Sequence, residues 1–305
     1  MYQLKIKQMI NNSKKESVIA VGNFDGFHLG HKKIVEMLNF ISKEKGFCST
    51  ILTFIPNPRS FLNKKTGLIS TDEQKEEILK SLKVDSVLFI NFKEIYKLSG
   101  EAFVENYLIK KFNMKYIVVG ENFKFGKNRE CNVNSLKKLS LKFGYGIKIV
   151  EHEIIDGIGI SSSVIREKLF KGEIEDVNKM LGKEYYIDGT VIKGKRIGRE
   201  LGFPTINIKP RNSILPEGVF KTQVKIDNCI YNSITNIGFR PTFYGDEKIV
   251  ESHILGFNKI IYDKTVRVFF EKKIRNEHKF DSEESLAKQI EKDIKNLKVD
   301  KHRVF

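Results

Sequence analysis

The first half of the chain alternates short, largely apolar runs with longer stretches of helical periodicity. The runs fall at Ser17–Val21, Thr50–Phe54, Val87–Ile90, Tyr116–Val119 and Ile147–Val150. A run that is apolar at every position suits a strand covered on both faces, as in a parallel sheet. Between the runs, Thr71-Asp72-Glu73-Gln74 reads as a capping box followed by Ile78, Leu79 and Leu82 on one helical face. Phe103, Val104, Tyr107 and Leu108 mark a second helix, and Leu136, Leu139 and Phe143 a third. Strands alternating with helices predict βαβ units and a doubly wound α/β domain.

The rhythm changes near residue 183. Val164–Phe170 and a segment ending at Met180-Leu181-Gly182 predict two more helices, after which strands dominate. Phe220, Thr222, Val224 and Ile226 alternate with Lys221, Gln223 and Lys225, and Val266, Val268 and Phe270 repeat that period of two. A last helix opens at Asp281-Ser282-Glu283-Glu284 and carries Leu286, Ile290, Ile294 and Leu297 along one stripe. The expectation is two domains, 1–183 and 184–305, the second mostly antiparallel β with a terminal helix.

Length and composition agree with this division. The 305 residues are enough for two domains, and 40% hydrophobic with 30% charged residues excludes a disordered or fibrous chain. No run approaches the ~18 apolar residues of a membrane span. Met1–Gln8 alternates polar and apolar residues, without the apolar stretch of a signal peptide. Cys48, Cys131 and Cys229 lie far apart with no CxxC spacing, which points to a reducing compartment and hence to a cytoplasmic protein. The net charge of +16 has two readings, a polyanion partner or lysines spread over helix surfaces. The longest basic clusters are pairs such as Lys32-Lys33, Lys137-Lys138 and Lys272-Lys273, so the dispersed reading is favoured and no stable nucleic-acid partner is expected. A positive field still attracts small anions.

Residues 22–31 read Gly-Asn-Phe-Asp-Gly-Phe-His-Leu-Gly-His, between the first buried strand and a helix beginning near Gly30. A strand that ends where a helix N-terminus offers unpaired N–H groups is a ready anion site. Gly22 and Gly26 permit tight turns and close backbone approach to phosphate. His28 and His31 are spaced so that both imidazoles can point the same way and donate to phosphate oxygens. A zinc pair and two structural histidines are the competing readings; zinc needs further ligands, and no Cys/His cluster supplies them in sequence.

These residues resemble the signature of the nucleotidylyltransferase module of bacterial bifunctional riboflavin kinase/FAD synthetases. Further blocks follow in the order of that family. Thr53-Phe54-Ile55-Pro56-Asn57-Pro58 is similar to its second motif, Gly120-Glu121-Asn122-Phe123-Lys124-Phe125-Gly126 to its third, and Ile160-Ser161-Ser162-Ser163-Val164-Ile165-Arg166 to its ISSTxIR block, with Ser163 in place of Thr. Physically the last block is a serine-rich helix start with an Arg one turn in, suited to gripping polyphosphate. An N-cap explains Ser162 or Ser163 equally well, and a surface ion pair is the plain alternative for Arg166. The resemblance implies that His28, His31 and Arg166 serve catalysis, and that Gly22, Asn23, Phe24, Asp25, Gly26, Asn57, Asn122, Ser162 and Ser163 bind nucleotide or flavin.

Downstream, Gly189, Gly194, Gly198 and Gly202 separate short segments and suit a loop folded closely over phosphates, although no GxxxxGK[ST] is present. Ordinary β-turns account for most such loops. This stretch resembles the glycine-rich loop and PTAN motif of the riboflavin kinase module, here Pro204-Thr205-Ile206-Asn207. The resemblance implies that Thr205 and Asn207 help hold Mg²⁺ with ATP, and that Gly189, Gly194, Gly198, Arg199, Gly202, Phe203 and Pro204 line the substrates. Ile206 is larger than the family's Ala and is expected to narrow the pocket. Asn236–Phe243 and Val250–Leu255 resemble two more kinase blocks, the second placing Glu251 as general base. Arg275 and Phe280 fall where the family has a flavin-side loop. The implied architecture is α/β: a Rossmann-like nucleotidylyltransferase domain followed by an antiparallel β-barrel kinase domain with a terminal helix. The implied activity is phosphorylation of riboflavin by ATP to FMN, then transfer of AMP from ATP to FMN, with flavins as substrate and product rather than prosthetic groups. A monofunctional adenylyltransferase with a drifted barrel is one rival, opposed by the retained Thr205, Asn207 and Glu251. A basic nucleic-acid-binding protein is the other, opposed by the lack of a clustered basic–aromatic stripe.

Overall fold

The computed structural model describes residues 15–62, 67–194, 198, 202–242, 245–278, 280 and 282–295. The N-terminal alternation Met1–Gln8, Arg199, Phe243, Asp281 and Leu297 lie outside the described residues. The chain divides into two compact units, 1–162 and 163–305.

In the first unit, β1 (Ser17–Val21), β2 (Cys48–Ile55), β3 (Ser86–Asn91), β4 (Met114–Gly120) and β5 (Gly146–Val150) form one parallel sheet in the order β3-β2-β1-β4-β5. The apolar runs of the sequence account for it. On β1, Val18 and Ala20 join one core while Ile19 and Val21 join the other, so consecutive side chains leave water on opposite faces. Helix α1 (Leu29–Lys45) and helix α2 (Asp72–Ser81) cover one face through Val35, Leu38, Ile41 and Leu79. Helix α3 (Val133–Phe143) and the segment Phe103–Lys111 cover the other through Leu136, Phe103, Val104 and Leu108. The expected capping box is present: Thr71 Oγ1 accepts from the Gln74 N–H at 3.2 Å, and Gln74 Oε1 from the Thr71 N–H at 3.0 Å. One prediction changes in kind, because Phe103–Lys111 winds as a π-helix rather than an α-helix. That winding brings Phe103 and Leu108, five residues apart, onto one buried face.

Helix α4 (Ser162–Lys171) starts at the last residue of the first unit, and helix α5 (Ile174–Leu181) follows it in the second. Six strands follow: β6 (Tyr185–Ile192), β7 (Thr205–Pro210), β8 (Gly218–Ile226), β9 (Cys229–Thr242), β10 (Gly245–Ile254) and β11 (Thr265–Arg275). They close into an antiparallel barrel in the order β6-β7-β10-β9-β8-β11, β11 returning to β6. Closure leaves no open sheet edge. Helix α6 (Glu283–Lys295) ends the described chain. Ser282 caps it: its Oγ accepts from the Ser285 N–H at 3.2 Å.

The barrel interior is not wholly apolar. Thr222, Ser233, Thr235 and Ser252 are fully buried on β8, β9 and β10. Their hydroxyls form a ladder, with Thr222 to Ser233 at 2.8 Å, Thr222 to Thr235 at 2.7 Å and Thr235 to Ser252 at 2.6 Å. Thr222 thus sits inside despite its polarity, because the ladder satisfies its hydroxyl. Thr235→Val keeps the shape, removes one of the partners of Thr222 and takes away the hydroxyl that Ser252 meets; we expect a loss of about 1–3 kcal/mol, read from the urea midpoint of unfolding.

Candidate functional site

The first candidate site is the turn between β1 and α1, at the point where the strand order reverses between β1 and β4. Phe24 (φ 50°), Gly26 (φ 80°) and Phe27 (φ 44°) all occupy the left-handed region. For a bulky residue this is strained backbone, costing about 1–3 kcal/mol, and it persists only where the surroundings over-determine it. Here they do. Phe24 is buried in the core beneath α1, and a Cβ on Gly22 would come within 3.1 Å of its ring. A Cβ on Gly26 would come within 2.9 Å of Ile69 Cγ2. The buried Asp25 carboxylate accepts from the N–H groups of Ile69 at 3.0 Å and Ser70 at 3.1 Å. Thr53 donates to the Asn23 carbonyl, and Ser162 Oγ donates to the Asp25 carbonyl at 3.0 Å. Three blocks far apart in sequence therefore clamp one turn.

That turn delivers the histidines. His28 is the N-cap of α1, yet it makes no side-chain cap bond, and the first turn of the helix contains no acid. The positive end of the helix is therefore left for an external anion. The imidazoles of His28 and His31 stack with centroids 3.7 Å apart and planes 20° from parallel. Gly30 makes this possible, since a Cβ there would lie 3.2 Å from the His28 ring. His31 also leans on Phe24 and Phe27, at centroid distances of 5.1 and 6.1 Å. Its Nδ1 is buried and has no hydrogen-bond partner among the described residues.

Burial, and then the neighbouring His28, hold the His31 pKa well below the ordinary histidine value of 6.5. Its folded-state pKa lies below its unfolded one, so the unfolded chain binds the extra proton as pH falls below about 6.5. His31 therefore costs stability below that pH and nothing well above it. In urea titrations at a series of pH values, wild type is expected to lose more stability below about pH 6.5 than His31→Phe, which keeps a ring and removes the titration.

The other predicted residues fall into place around this turn or elsewhere. Asn57 is buried, and its Oδ1 accepts from the Arg59 N–H at 3.0 Å, capping the short helix Pro58–Leu62. Asn122 Nδ2 lies 3.0 Å from His152 Nε2. Ser162 begins α4; Ser163 is exposed beside it, and Arg166, one turn along the same helix, is buried. Sequence reasoning missed Ile69, Ser70, His152 and the buried Lys75. The Lys75 Nζ donates to the Phe54 carbonyl at the end of β2, at 2.9 Å. No local pattern marks these residues, because each acts across the fold.

The second candidate site lies on the outer face of the barrel. Val250, Ser252 and Ile254 are buried inside, which turns Glu251 outward. Register then builds a row: Glu251 on β10 is paired with Asn207 on β7 and with Asn236 on β9. Thr205 lies two positions from Asn207 on the same face, paired with His253. His253 Nδ1 is 2.9 Å from the Pro204 carbonyl, and its ring meets Phe203 edge-on at 5.7 Å. Glycines cover the row. A Cβ on Gly198 would come within 3.3 Å of Thr205 Oγ1, and one on Gly194 would overlap the Asn207 amide. Gly198 also accepts from the Phe203 N–H at 2.8 Å, and Gly202, at φ 82°, is exposed.

Three expectations change here. Gly189 lies inside β6 rather than in the loop, where a Cβ would come within 2.7 Å of the Lys209 carbonyl. Ile206 pairs with the buried Ser252, so its side chain belongs to the inner row, not to the face carrying Thr205 and Asn207. Arg275 is already engaged: its Nε donates to buried Asp293 of α6 at 3.0 Å, and its guanidinium lies 5.7 Å from the Phe280 ring.

Comparison with known proteins assigns each region of the chain to a family. A family profile for FAD synthetase matches residues 10–164, and one for riboflavin kinase matches residues 181–299. A bifunctional riboflavin kinase/FMN adenylyltransferase of Buchnera aphidicola from Schizaphis graminum is 38% identical, covering 97% of this chain and 98% of its own. The Bacillus subtilis protein of that name is 34% identical over 93% and 92%, and the Escherichia coli K12 one 30% over 90% of each. A solved Streptococcus pneumoniae structure named as a macrolide-efflux protein superposes with TM-score 0.84 at 29% identity, covering 92% of this chain and 93% of that one. Among the described residues no helix is long and apolar enough to cross a membrane. The chain belongs to the bifunctional riboflavin kinase/FMN adenylyltransferase family.

Proposed function

We infer that this chain makes both flavin cofactors in sequence, and that the functional division runs between residues 183 and 184. The observation that carries the reading is the presence of two separate constellations, one in each family region: the stacked histidines at an uncapped helix start, and the Asn207–Glu251–Asn236 row under glycines.

In the barrel, the primary hydroxyl of riboflavin attacks the γ-phosphorus of ATP. The new O–P bond forms as the β–γ bridging bond breaks, ADP leaves, and the hydroxyl proton passes to the Glu251 carboxylate. A carboxylate held on a strand between two amides is placed for that transfer without moving the backbone. Thr205 and Asn207 fit a magnesium ion bound with ATP. They offer neutral oxygens on one face, and the absence of a Cβ at Gly194 and Gly198 leaves backbone close above them for phosphate. When bound, Mg²⁺ neutralises phosphate charge.

In the first region, a phosphate oxygen of FMN attacks the α-phosphorus of a second ATP. The α–β bridging bond breaks and pyrophosphate leaves, giving FAD. No proton need be removed from the nucleophile, so the task is alignment and charge stabilisation. The α1 N-terminus and the N–H groups of His28 and His31 donate to phosphate oxygens. Asn122 lies on a surrounding loop, and Ser162 joins the turn through the Asp25 carbonyl. His31 enters neutral, with one ring nitrogen donating. Cytoplasmic placement is part of the same reading, supported by the free Cys48, Cys131 and Cys229.

A chromatographic time course with riboflavin, ATP and Mg²⁺ tests the whole reading. FMN should rise first and FAD follow. FAD formed from supplied FMN, with riboflavin untouched, would instead favour the monofunctional rival.

A further inference from the structure

The row that carries Glu251 has a third member with no assigned task. Asn236 is directly opposite Glu251 in the ladder, on the side away from Asn207. Residues so paired share a face, with Cβ atoms about 4.5–5.5 Å apart. The Asn236 Oδ1 is buried and accepts no hydrogen bond among the described residues. Its Nδ2 faces Glu277 Oε1 at 3.5 Å. That partner decides which way the amide points: an ionised carboxylate only accepts, so it selects the amide nitrogen and turns the oxygen toward the row. Glu277 is itself seated by a packing feature. It lies over Gly238, the next outward position on β9, where any Cβ would collide with its carboxylate. A buried acceptor left open beside the base costs stability unless a ligand supplies a donor.

We propose that Asn236 is a substrate-positioning residue of the kinase site. Its Oδ1 accepts a hydrogen bond from the polyol hydroxyl adjacent to the one that Glu251 deprotonates, and Glu277 holds the amide in that orientation. The inference rests on the kinase reading above. The place in the row argues for a hydroxyl rather than the cation. Asn207, the amide on the cation side, flanks Glu251 on β7, and Asn236 flanks it on β9. A vicinal diol presents its two oxygens within one such cross-strand step. One hydroxyl then meets the base and the other the amide, which orients the nucleophile as well as selecting it.

The test compares riboflavin with an analogue lacking the hydroxyl next to the primary one, in full-length wild type, Asn236→Leu and Glu277→Gln. In wild type, kcat/KM for the deoxy analogue should fall at least about tenfold below that for riboflavin, because an open buried acceptor discriminates against the missing donor. In Asn236→Leu, riboflavin itself should lose about that factor and the two substrates should converge, while FAD formation from supplied FMN is unchanged. Glu277→Gln, whose amide can face Asn236 with either end, should give an intermediate ratio in a protein of unaltered inner core. An Asn236→Leu enzyme that keeps the wild-type preference for riboflavin overturns the proposal. So does one whose main change is a higher Mg²⁺ requirement, which would make Asn236 a cation ligand. Failure of wild type to phosphorylate riboflavin would instead strike the kinase reading beneath it.

Discussion

A purified His28→Ala variant is expected to form FAD from FMN and ATP about 10²–10³-fold more slowly than wild type, while riboflavin phosphorylation continues at its normal rate. The factor is that for removing one pre-positioned donor from a charge-stabilising site. The geometry makes the experiment clean. His28 makes no side-chain cap bond, so truncation removes no cap from α1. Its ring is held by stacking on His31 and by the space at Gly30, features of the site rather than of the sheet core. The strained turn before it is secured independently by Asp25, Thr53 and Ser162. Rates of FMN and FAD formation measured in one preparation, with a thermal melt as the folding control, give the answer. Equal loss of both activities in a folded variant would refute separate histidine and barrel sites.

The mirror-image result is expected for Glu251→Gln: phosphorylation of riboflavin falls by about 10²–10⁴, the range for a general base, and adenylylation of supplied FMN is retained. Glutamine keeps the size, the strand position and the ability to accept a hydrogen bond. What it loses is the capacity to take a proton. The pairing of residue 251 with Asn207 and Asn236 is made by backbone register and survives the change. A KM for riboflavin close to wild type with a collapsed kcat would locate the loss in the proton transfer. Near-normal phosphorylation would remove Glu251 as the base.

Much of this molecule is legible in one dimension. Four of the five parallel strands appear as largely apolar runs because a strand covered on both faces has little polar side to display, while edge strand β5 carries the exposed Lys148. The Thr71 capping box is read directly, since all its partners lie within one helical turn. The His28–His31 pair at a strand-to-helix junction is likewise local, as is the alternation that marks β8 and β11. Each of these signals is carried by neighbours in the chain.

The limits are equally physical. The π winding of Phe103–Lys111 keeps the apolar spacing of a helix, so periodicity alone did not separate the two. Gly189 and Ile206 sit in stretches that look like loop and pocket, but which way a strand residue faces depends on its partner strands. The alternation puts Thr222 on the inner face, but not the partners that satisfy it there, Ser233 and Thr235 of the next strand. By itself the sequence determined the two folding patterns, their order and the local anion turn, all of which depend on contacts a few residues apart. Only the tertiary structure decided that Asp25 clamps Ile69 and Ser70, and that Asn236 stands beside Glu251. Those relations are made by register and packing between segments distant in the chain, and no local periodicity encodes them.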